Sequence, residues 1–258
     1  MEFDYGESHG PHTWCLKFPS AAGPHQSPIN LVDKRINVDK SLKPVSINLT
    51  GIEQQKIIRG PHNFRVVSHG FGTLRGGPLP AQYIFEQFHF HWGSGDHFGS
   101  EHLINGISAP AELHCVFANT SYTTTEGLLD HRDGLSVVGV FLQIGPNPNN
   151  ALEILLNKVD GMKPGEEKTI SPGLPLQELL PQNLSKYYTY SGSLTTPPCS
   201  ECVVWIVMAE PVYVSQDQLR RLRKLHDCCK TCGSTDNFRP VCPQGNRSVR
   251  ASFELDRA

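Results

Sequence analysis

The sequence predicts a mainly β fold of the α+β type, with one domain around a large, twisted, mostly antiparallel β-sheet and a few short peripheral helices. Short runs rich in Val, Ile, Phe and Tyr recur between turns marked by 23 Gly and 20 Pro. Segments with helical periodicity are too few to supply the crossover helices of parallel βαβ units. No repeat or linker-like stretch interrupts the 258 residues, so we expect one domain over residues 1–258.

The predicted strands are apolar runs or runs that alternate apolar with polar residues. In chain order they are Ser46–Leu49, Asn63–Val67, Tyr83–Trp92, Ala111–Ala118, Val137–Ile144, Tyr187–Tyr190 and Val203–Met208. Helices are predicted at Ala151–Val159, Leu176–Leu180 and Gln216–Leu225. The last has the clearest start, because Ser215 can cap it and Gln218 follows at the position of a capping box.

Composition and charge limit the classes of function. The chain is 38% hydrophobic and 19% charged, with a formal net charge of -2, which is ordinary for a globular protein. A nucleic-acid or membrane-surface role would need a basic block. The one basic run, at 220–224, follows helical spacing and is interpreted as a solvated helix face. No run approaches the roughly 18 apolar residues of a membrane span. We expect neither a nucleic-acid partner nor a span.

The segment from Gln87 to Trp92 places two histidines at strand spacing. Residues two apart on a strand share a face, so Gln87, His89 and His91 project together. Three aromatic residues project from the opposite face, which is apolar enough to enter a core. The two imidazoles lie about 7 Å apart along the strand, within reach of one ion.

A second segment, Ala111–Val116, repeats this arrangement. Glu112 and His114 share one face, and His114 supplies a third imidazole if this strand pairs with the first. Three imidazoles and an open position form the ligand set of a catalytic zinc ion, whereas structural zinc sites have four protein ligands. Gln87 and Glu112 are placed to accept hydrogen bonds from the second ring nitrogens. Twelve histidines also make chance pairs common, so the residues alone leave both interpretations open.

Four motifs together resemble those of the α-class carbonic anhydrases: QFHFHWGS at Gln87–Ser94, GSEH at Gly99–His102, AELH at Ala111–His114 and SGSLTTPP at Ser191–Pro198. Weaker matches extend the resemblance from Tyr5 to about Glu254. It implies a conical cleft that reaches a Zn²⁺ ion on His89, His91 and His114. It also implies that Gln87, Glu112 and the carbonyl group of Asn237 orient these ligands.

The resemblance implies a lyase that interconverts carbon dioxide with bicarbonate and a proton, by attack of zinc-bound hydroxide. It makes Thr195 and Glu101 the pair that orients the hydroxide, and His62 the proton shuttle, since an unperturbed imidazole pKa is near 6.5. Arg65 departs from the family pattern, and its charge is expected to disfavour the imidazolium form of His62. The residues implied for the substrate pocket are Val116, Val137, Leu194, Thr196, Val203 and Trp205.

The chain has eight cysteines. By resemblance, Cys199 stands where extracellular relatives carry half of a disulfide, and Cys15 is its nearest candidate partner. Cys115 and Cys202 lie in strand-like runs and are predicted to be buried thiols. The late cysteines, which include the C-x-x-C pair Cys229 and Cys232, are read as surface thiols, as disulfides within or between chains, or as a structural zinc site.

A monomer and a thiol-linked dimer are both consistent with the cysteine pattern. The chain is expected to be cytoplasmic if Met1 is native and secreted if a leader was removed. Two other functions stay open: a catalytically weak binding or biomineral matrix protein with this fold, and a zinc esterase or other hydrolase. The first usually lacks a zinc histidine, and the relative rates of carbon dioxide hydration and ester cleavage distinguish the second.

Overall fold

A thirteen-stranded mixed sheet forms the centre of the fold. The computed structural model describes residues 3–50, 54–68, 72–122, 125–226 and 235–255. The strands are β1 (Asn30–Leu31), β2 (Ile36–Val38), β3 (Val45–Asn48), β4 (Gln55–Arg59), β5 (Phe64–Val67), β6 (Thr73–Gly76), β7 (Tyr83–Trp92), β8 (Leu103–Ile104), β9 (Ala111–Asn119), β10 (Leu135–Ile144), β11 (Glu167–Ile170), β12 (Tyr187–Gly192), β13 (Val203–Met208), β14 (Val212–Val214) and β15 (Val249–Ala251). The α-helices are α1 (Thr125–Asp130), α2 (Asn150–Val159) and α3 (Gln216–His226), and 3₁₀ turns span Trp14–Leu16, Pro19–Ala22, Asp33–Arg35 and Leu176–Leu179.

The main path across the large sheet runs β11-β4-β5-β7-β9-β10-β13-β12-β15-β2. Antiparallel ladders join β5, β7, β9 and β10, while β10 pairs with β13 and β14 in parallel. Strands β1 and β8 form a separate parallel pair. This arrangement confirms the predicted single-domain, mainly β fold and shows that its sheet is mixed.

The predicted long strands are confirmed, two of them with the predicted bounds, β7 and β13. Helix α3 begins at the predicted capping box: Gln218 N donates to Ser215 Oγ (3.2 Å) and Ser215 N donates to Gln218 Oε1 (3.1 Å). The segment predicted as a helix at Leu176–Leu180 is a 3₁₀ turn over Leu176–Leu179. Several strands of two to five residues were not predicted, because pairing with a neighbour rather than their own pattern stabilises them.

The basic run of α3 is only partly the predicted solvated face. Arg221 donates to Glu153 (2.7 Å) and to Asp160 (2.8 Å), and Arg223 donates to Asp96 (2.7 Å). These ion pairs join α3 to α2 and to the loop after β7. No helix among the described residues is long and apolar enough to cross a membrane.

Two apolar clusters cover the two faces of the sheet. The larger contains Phe88, Phe90 and Trp92, each at most 1% exposed, together with the buried residues of α2 and α3. The smaller cluster includes Val116 and Trp205 on the other face. The aromatic face of β7 is therefore in the core, as predicted, and its polar face lies beside the smaller cluster.

Gly99 fixes the turn that leads from β7 to the segment carrying Glu101. Its φ is +144°, and a Cβ atom there would lie 2.1 Å from Pro110 O and 2.2 Å from Gly93 N. Gly106 also has positive φ (+80°), but a Cβ atom there would meet nothing within 4 Å. A side chain at Gly99 would therefore cause both backbone strain and a steric clash, whereas one at Gly106 would cause strain alone.

We predict that Gly99→Ala lowers the free energy of unfolding by about 3 kcal/mol or more, because it adds a backbone clash to the left-handed strain. Gly106→Ala, the matched control, should cost about 1 kcal/mol from strain alone. Urea unfolding followed by tryptophan fluorescence measures both. Equal losses would contradict the steric account of Gly99.

Candidate metal centre

Three imidazoles converge on the polar face of β7 and β9. The antiparallel register places His89 directly opposite His114, and His91 shares the face of His89. Ring centroids are 5.0 Å apart for His89 and His91, 5.4 Å for His89 and His114, and 4.7 Å for His91 and His114. One nitrogen of each ring lies within 4.8 Å of those of the other two. The three residues can therefore hold one metal ion.

Each imidazole is oriented by an oxygen that accepts a hydrogen bond from one ring nitrogen. The pairs are His89 Nδ1 with Gln87 Oε1 (2.9 Å), His91 Nδ1 with Asn237 O (2.7 Å), and His114 Nε2 with Glu112 Oε1 (2.8 Å). The remaining nitrogens are Nε2 of His89, Nε2 of His91 and Nδ1 of His114. The Nε2 atom of His91 is buried and has no hydrogen-bond partner among the described residues. Because a buried polar atom without a partner is costly, this site fits a bound cation.

The three imidazoles are held in the neutral form that metal binding requires. Desolvation is the largest cause in each case: it lowers the pKa of His89 well below its usual value, lowers that of His91 to about 3, and lowers that of His114. The neighbouring rings add to this effect on His89 and His91. The guanidinium of Arg65 also lowers the pKa of His89.

Glu112 connects the centre to a buried hydrogen-bond network that the sequence did not predict. Its carboxylate accepts from His114 and also from the backbone N (2.8 Å) and Nδ1 (2.7 Å) of His102. The other ring nitrogen of His102 lies 2.7 Å from the hydroxyl of Tyr190. Burial alone would raise the pKa of Glu112, but His102 and His114 hold it well below its usual value. His102 stands in the GSEH motif, which was the available signal.

His102, Glu112 and His114 also have ligand atoms within 4.8 Å of one another. Direct hydrogen bonds already join their facing atoms, so this group forms an orienting network. Gly139 makes room for it: the residue lies opposite His114 on β10, and a Cβ atom there would be 3.0 Å from Glu112 Oε1.

Glu101 lies beneath the histidines and is 1% exposed. Its Oε1 atom accepts from Arg239 N (2.8 Å) and is 3.3 Å from His91 Nδ1, while its Oε2 atom is 3.8 Å from His114 Nδ1. Burial raises the pKa of Glu101 well above its usual value, whereas Arg239 N and the Thr195 hydroxyl lower it. The Thr195 hydroxyl thus acts on this carboxylate, although Oε2 has no partner of full hydrogen-bond geometry in the described ranges.

A cavity of about 460 Å³ opens beside the centre, lined by His62, Arg65, His89 and Thr196 among others. The predicted pocket residues Val116, Val137, Val203 and Trp205 are buried in the smaller apolar cluster, Leu194 packs against that cluster, and only Thr196 lines the cavity itself. Val116, Val137 and Trp205 are successive neighbours across β9, β10 and β13. The Trp205 ring centroid is 4.9 Å from that of His114.

His62 is 4% exposed and lies among the N-terminal aromatic residues. Its Nε2 atom is 3.1 Å from the carbonyl oxygen of Phe3, to which it donates. Burial lowers the pKa of His62, and Arg59 adds to this, while Phe3 O and Asp4 raise it. The expected effect of Arg65 on the imidazolium form of His62 stays a prediction, and the two residues line the same cavity.

The cysteines of the described ranges are free thiols. Cys15 is exposed and Cys199 is buried, so the candidate bridge between them is not formed in the structure. Cys115 and Cys202 are buried as predicted, and burial raises the pKa of each to about 12. Cys228, Cys229 and Cys232, with the C-x-x-C motif, lie outside the described residues.

Comparison with known proteins finds relatives that match nearly the whole of this chain. The eukaryotic-type carbonic anhydrase family model matches residues 9–253. Carbonic anhydrase 3 of Homo sapiens is 41% identical over 263 residues, covering 98% of this chain and 99% of the relative. Carbonic anhydrase 3 of Bos taurus is 40% identical over 263 residues, and that of Equus caballus is 40% identical over 259 residues, each covering 98% of this chain and 99% of the relative.

We predict that His91→Ala lowers zinc affinity by more than the roughly 10- to 100-fold that loss of an orienting partner costs, because it removes a ligand nitrogen. The measurement is zinc content after dialysis, with a competing chelator to give the affinity. His97→Ala is the control, because His97 is exposed and outside the cluster. Retention of one tightly bound ion by His91→Ala would refute the ligand set.

Proposed function

The chain belongs to the eukaryotic-type carbonic anhydrase family and is a carbonic anhydrase, and we propose that it acts through a Zn²⁺ ion held by His89, His91 and His114. The proposed reaction is the reversible hydration of carbon dioxide to bicarbonate and a proton. The observation that carries the proposal is the convergence of three neutral imidazoles, each with one nitrogen free for an ion. Three protein ligands are the number found in catalytic zinc sites.

Zinc, when bound, lowers the pKa of a coordinated water to about 7 and so supplies a nucleophile at neutral pH. The chain's contribution is orientation. Glu112, Gln87 and the Asn237 carbonyl hold the rings in the correct tautomers, and we assign them that role.

Thr195 and Glu101 are proposed to select the direction of attack. Arg239 N anchors the Glu101 carboxylate, and a divalent charge at the histidines would favour its ionised form. An ionised Glu101 accepts the hydroxyl hydrogen of Thr195, which leaves the Thr195 oxygen only an acceptor role. That oxygen then orients a group that can donate a hydrogen bond and disfavours one that cannot.

Carbon dioxide is apolar and small, so its proposed binding surface is the apolar row beside His114. Val116 follows His114 by two residues on β9, so its side chain lies on the face of the histidines. Val137 is opposite Val116 and Trp205 is opposite Val137, which places both on the same face. Leu194 and Val203 extend this surface, and Thr196 lines the adjoining cavity. An apolar wall with few polar groups is typical of small-ligand sites.

His62 is proposed as the proton shuttle because it lines the same cavity as His89. Its lowered pKa leaves the ring neutral near pH 7 and able to accept a proton. Its hydrogen bond to Phe3 O fixes one ring nitrogen as a donor. Release of the proton to solvent therefore requires that the buried ring move or that buffer enter the cavity.

Stopped-flow hydration of carbon dioxide tests the proposed function. We expect the zinc-loaded chain to catalyse hydration, the chelator-stripped chain to be inactive, and added zinc to restore the rate. Ester turnover measured in parallel should be slow relative to hydration. A zinc-loaded, folded chain with no hydration above buffer would overturn the proposal and favour a binding role.

We predict that His62→Ala lowers hydration kcat by roughly tenfold at low buffer, less than the 10²–10⁴-fold typical of well-placed acid–base groups, because the ring is buried and held. Added imidazole should restore most of the rate. The His62-dependent part should rise with pH through an apparent pKa below 6.5 and be complete at neutral pH, since the base form accepts the proton.

His12→Ala is the control for this shuttle test, because His12 is exposed and outside the cavity lining. Its hydration rate should equal that of the unaltered chain. An unchanged kcat for His62→Ala at low buffer would exclude the shuttle role.

A further inference from the structure

Arg65 extends from β5 toward the metal centre. The antiparallel register places it directly opposite His89, so the two side chains share one face of the sheet. Arg65 borders the cavity of about 460 Å³ beside the histidines and a second cavity of about 570 Å³ on its other side. The residue is exposed.

The guanidinium of Arg65 has no hydrogen bond or ion pair with any residue in the described ranges. Two other arginines have acidic partners: Arg223 bonds Asp96, and Arg250 bonds Asp39. Lys56, on the same face one strand away, is paired with Glu167 at 2.9 Å. Within the described ranges, Arg65 therefore differs from the neighbouring Lys56 in having no acidic partner.

Among the described residues that line the cavity beside the histidines, Arg65 is also the one side chain with a permanent charge. The second cavity includes Glu86 and Lys56, of opposite sign. A single cation in a recess with largely apolar walls raises the local concentration of anions, because the walls focus its field. The recess beside the histidines is therefore the anion-attracting side of Arg65.

We infer that Arg65 is a specificity-determining residue for anions, which recruits bicarbonate and other small monovalent anions to the centre. This inference rests on the proposed function, because bicarbonate is the anionic partner in the proposed reaction. Carbon dioxide is uncharged, so Arg65 acts on one of the two carbon species. Tighter bicarbonate binding lowers the KM for dehydration and slows release of bicarbonate during hydration.

The test is calorimetric titration of the zinc-loaded chain with thiocyanate as the anion probe, together with the bicarbonate KM for dehydration. For Arg65→Gln we expect both the thiocyanate Kd and the bicarbonate KM to rise by roughly three- to fivefold at low ionic strength, the range of a solvent-accessible charge pair. Arg65→Lys should retain most of the affinity. The difference should shrink as ionic strength rises, because salt screens an exposed charge.

Lys56→Gln is the matched control, because it removes a cation from the same face that already has a partner. Its thiocyanate Kd should match that of the unaltered chain. Equal affinities for Arg65→Gln and the unaltered chain would overturn this inference even if both hydrate carbon dioxide. Failure of the unaltered chain to hold zinc or to hydrate carbon dioxide would instead overturn the proposed function.

Discussion

The register between β7 and β9 is the constraint on which the centre depends. It sets His89 opposite His114 and His91 opposite Glu112. Because side chains alternate along a strand, a one-residue slip would turn His114 into the core and Cys115 toward the cavity. β9 is paired on both edges, with β7 and with β10, and its residues are all buried. The position of the metal centre is therefore a consequence of core packing on the opposite face.

The same enclosure gives the imidazoles their chemistry. A buried ring that could neither donate nor accept would be destabilising, so each histidine has one acceptor fixed by the fold. The second nitrogens then face one another, and their proximity disfavours protonation of any of them. The lone pairs of three neutral ring nitrogens thus converge in a buried space, where a single shared cation can interact with all of them. Gly139 leaves space for the Glu112 carboxylate, which a side chain at this position would crowd.

The parts of this arrangement that are local in sequence could be predicted. Strand alternation in β7 was enough to place Gln87, His89 and His91 on one face, and the capping box of α3 was readable from two residues. Contacts between residues far apart in the sequence could not be predicted in this way. The carbonyl of Asn237 reaches His91 from the far end of the chain, and only the family resemblance pointed to it. The same limit applies to Arg65: its closeness to His62 in the sequence does not indicate that His89 lies directly opposite it on the neighbouring strand.

The charge distribution of the cavity has opposite consequences for the two products of the proposed reaction. With the histidines neutral, Arg65 supplies the permanent charge of the lining as far as the chain is described, and that charge is positive. A positive recess disfavours imidazolium anywhere within it, so a histidine that has taken up a proton there gives it up to the outside more readily. The same positive charge attracts bicarbonate and holds it in the recess. Burial of His62 also disfavours its imidazolium form, so protonation of this ring is the difficult step. Both effects therefore act on how the two charged products leave the cavity, because carbon dioxide itself is uncharged.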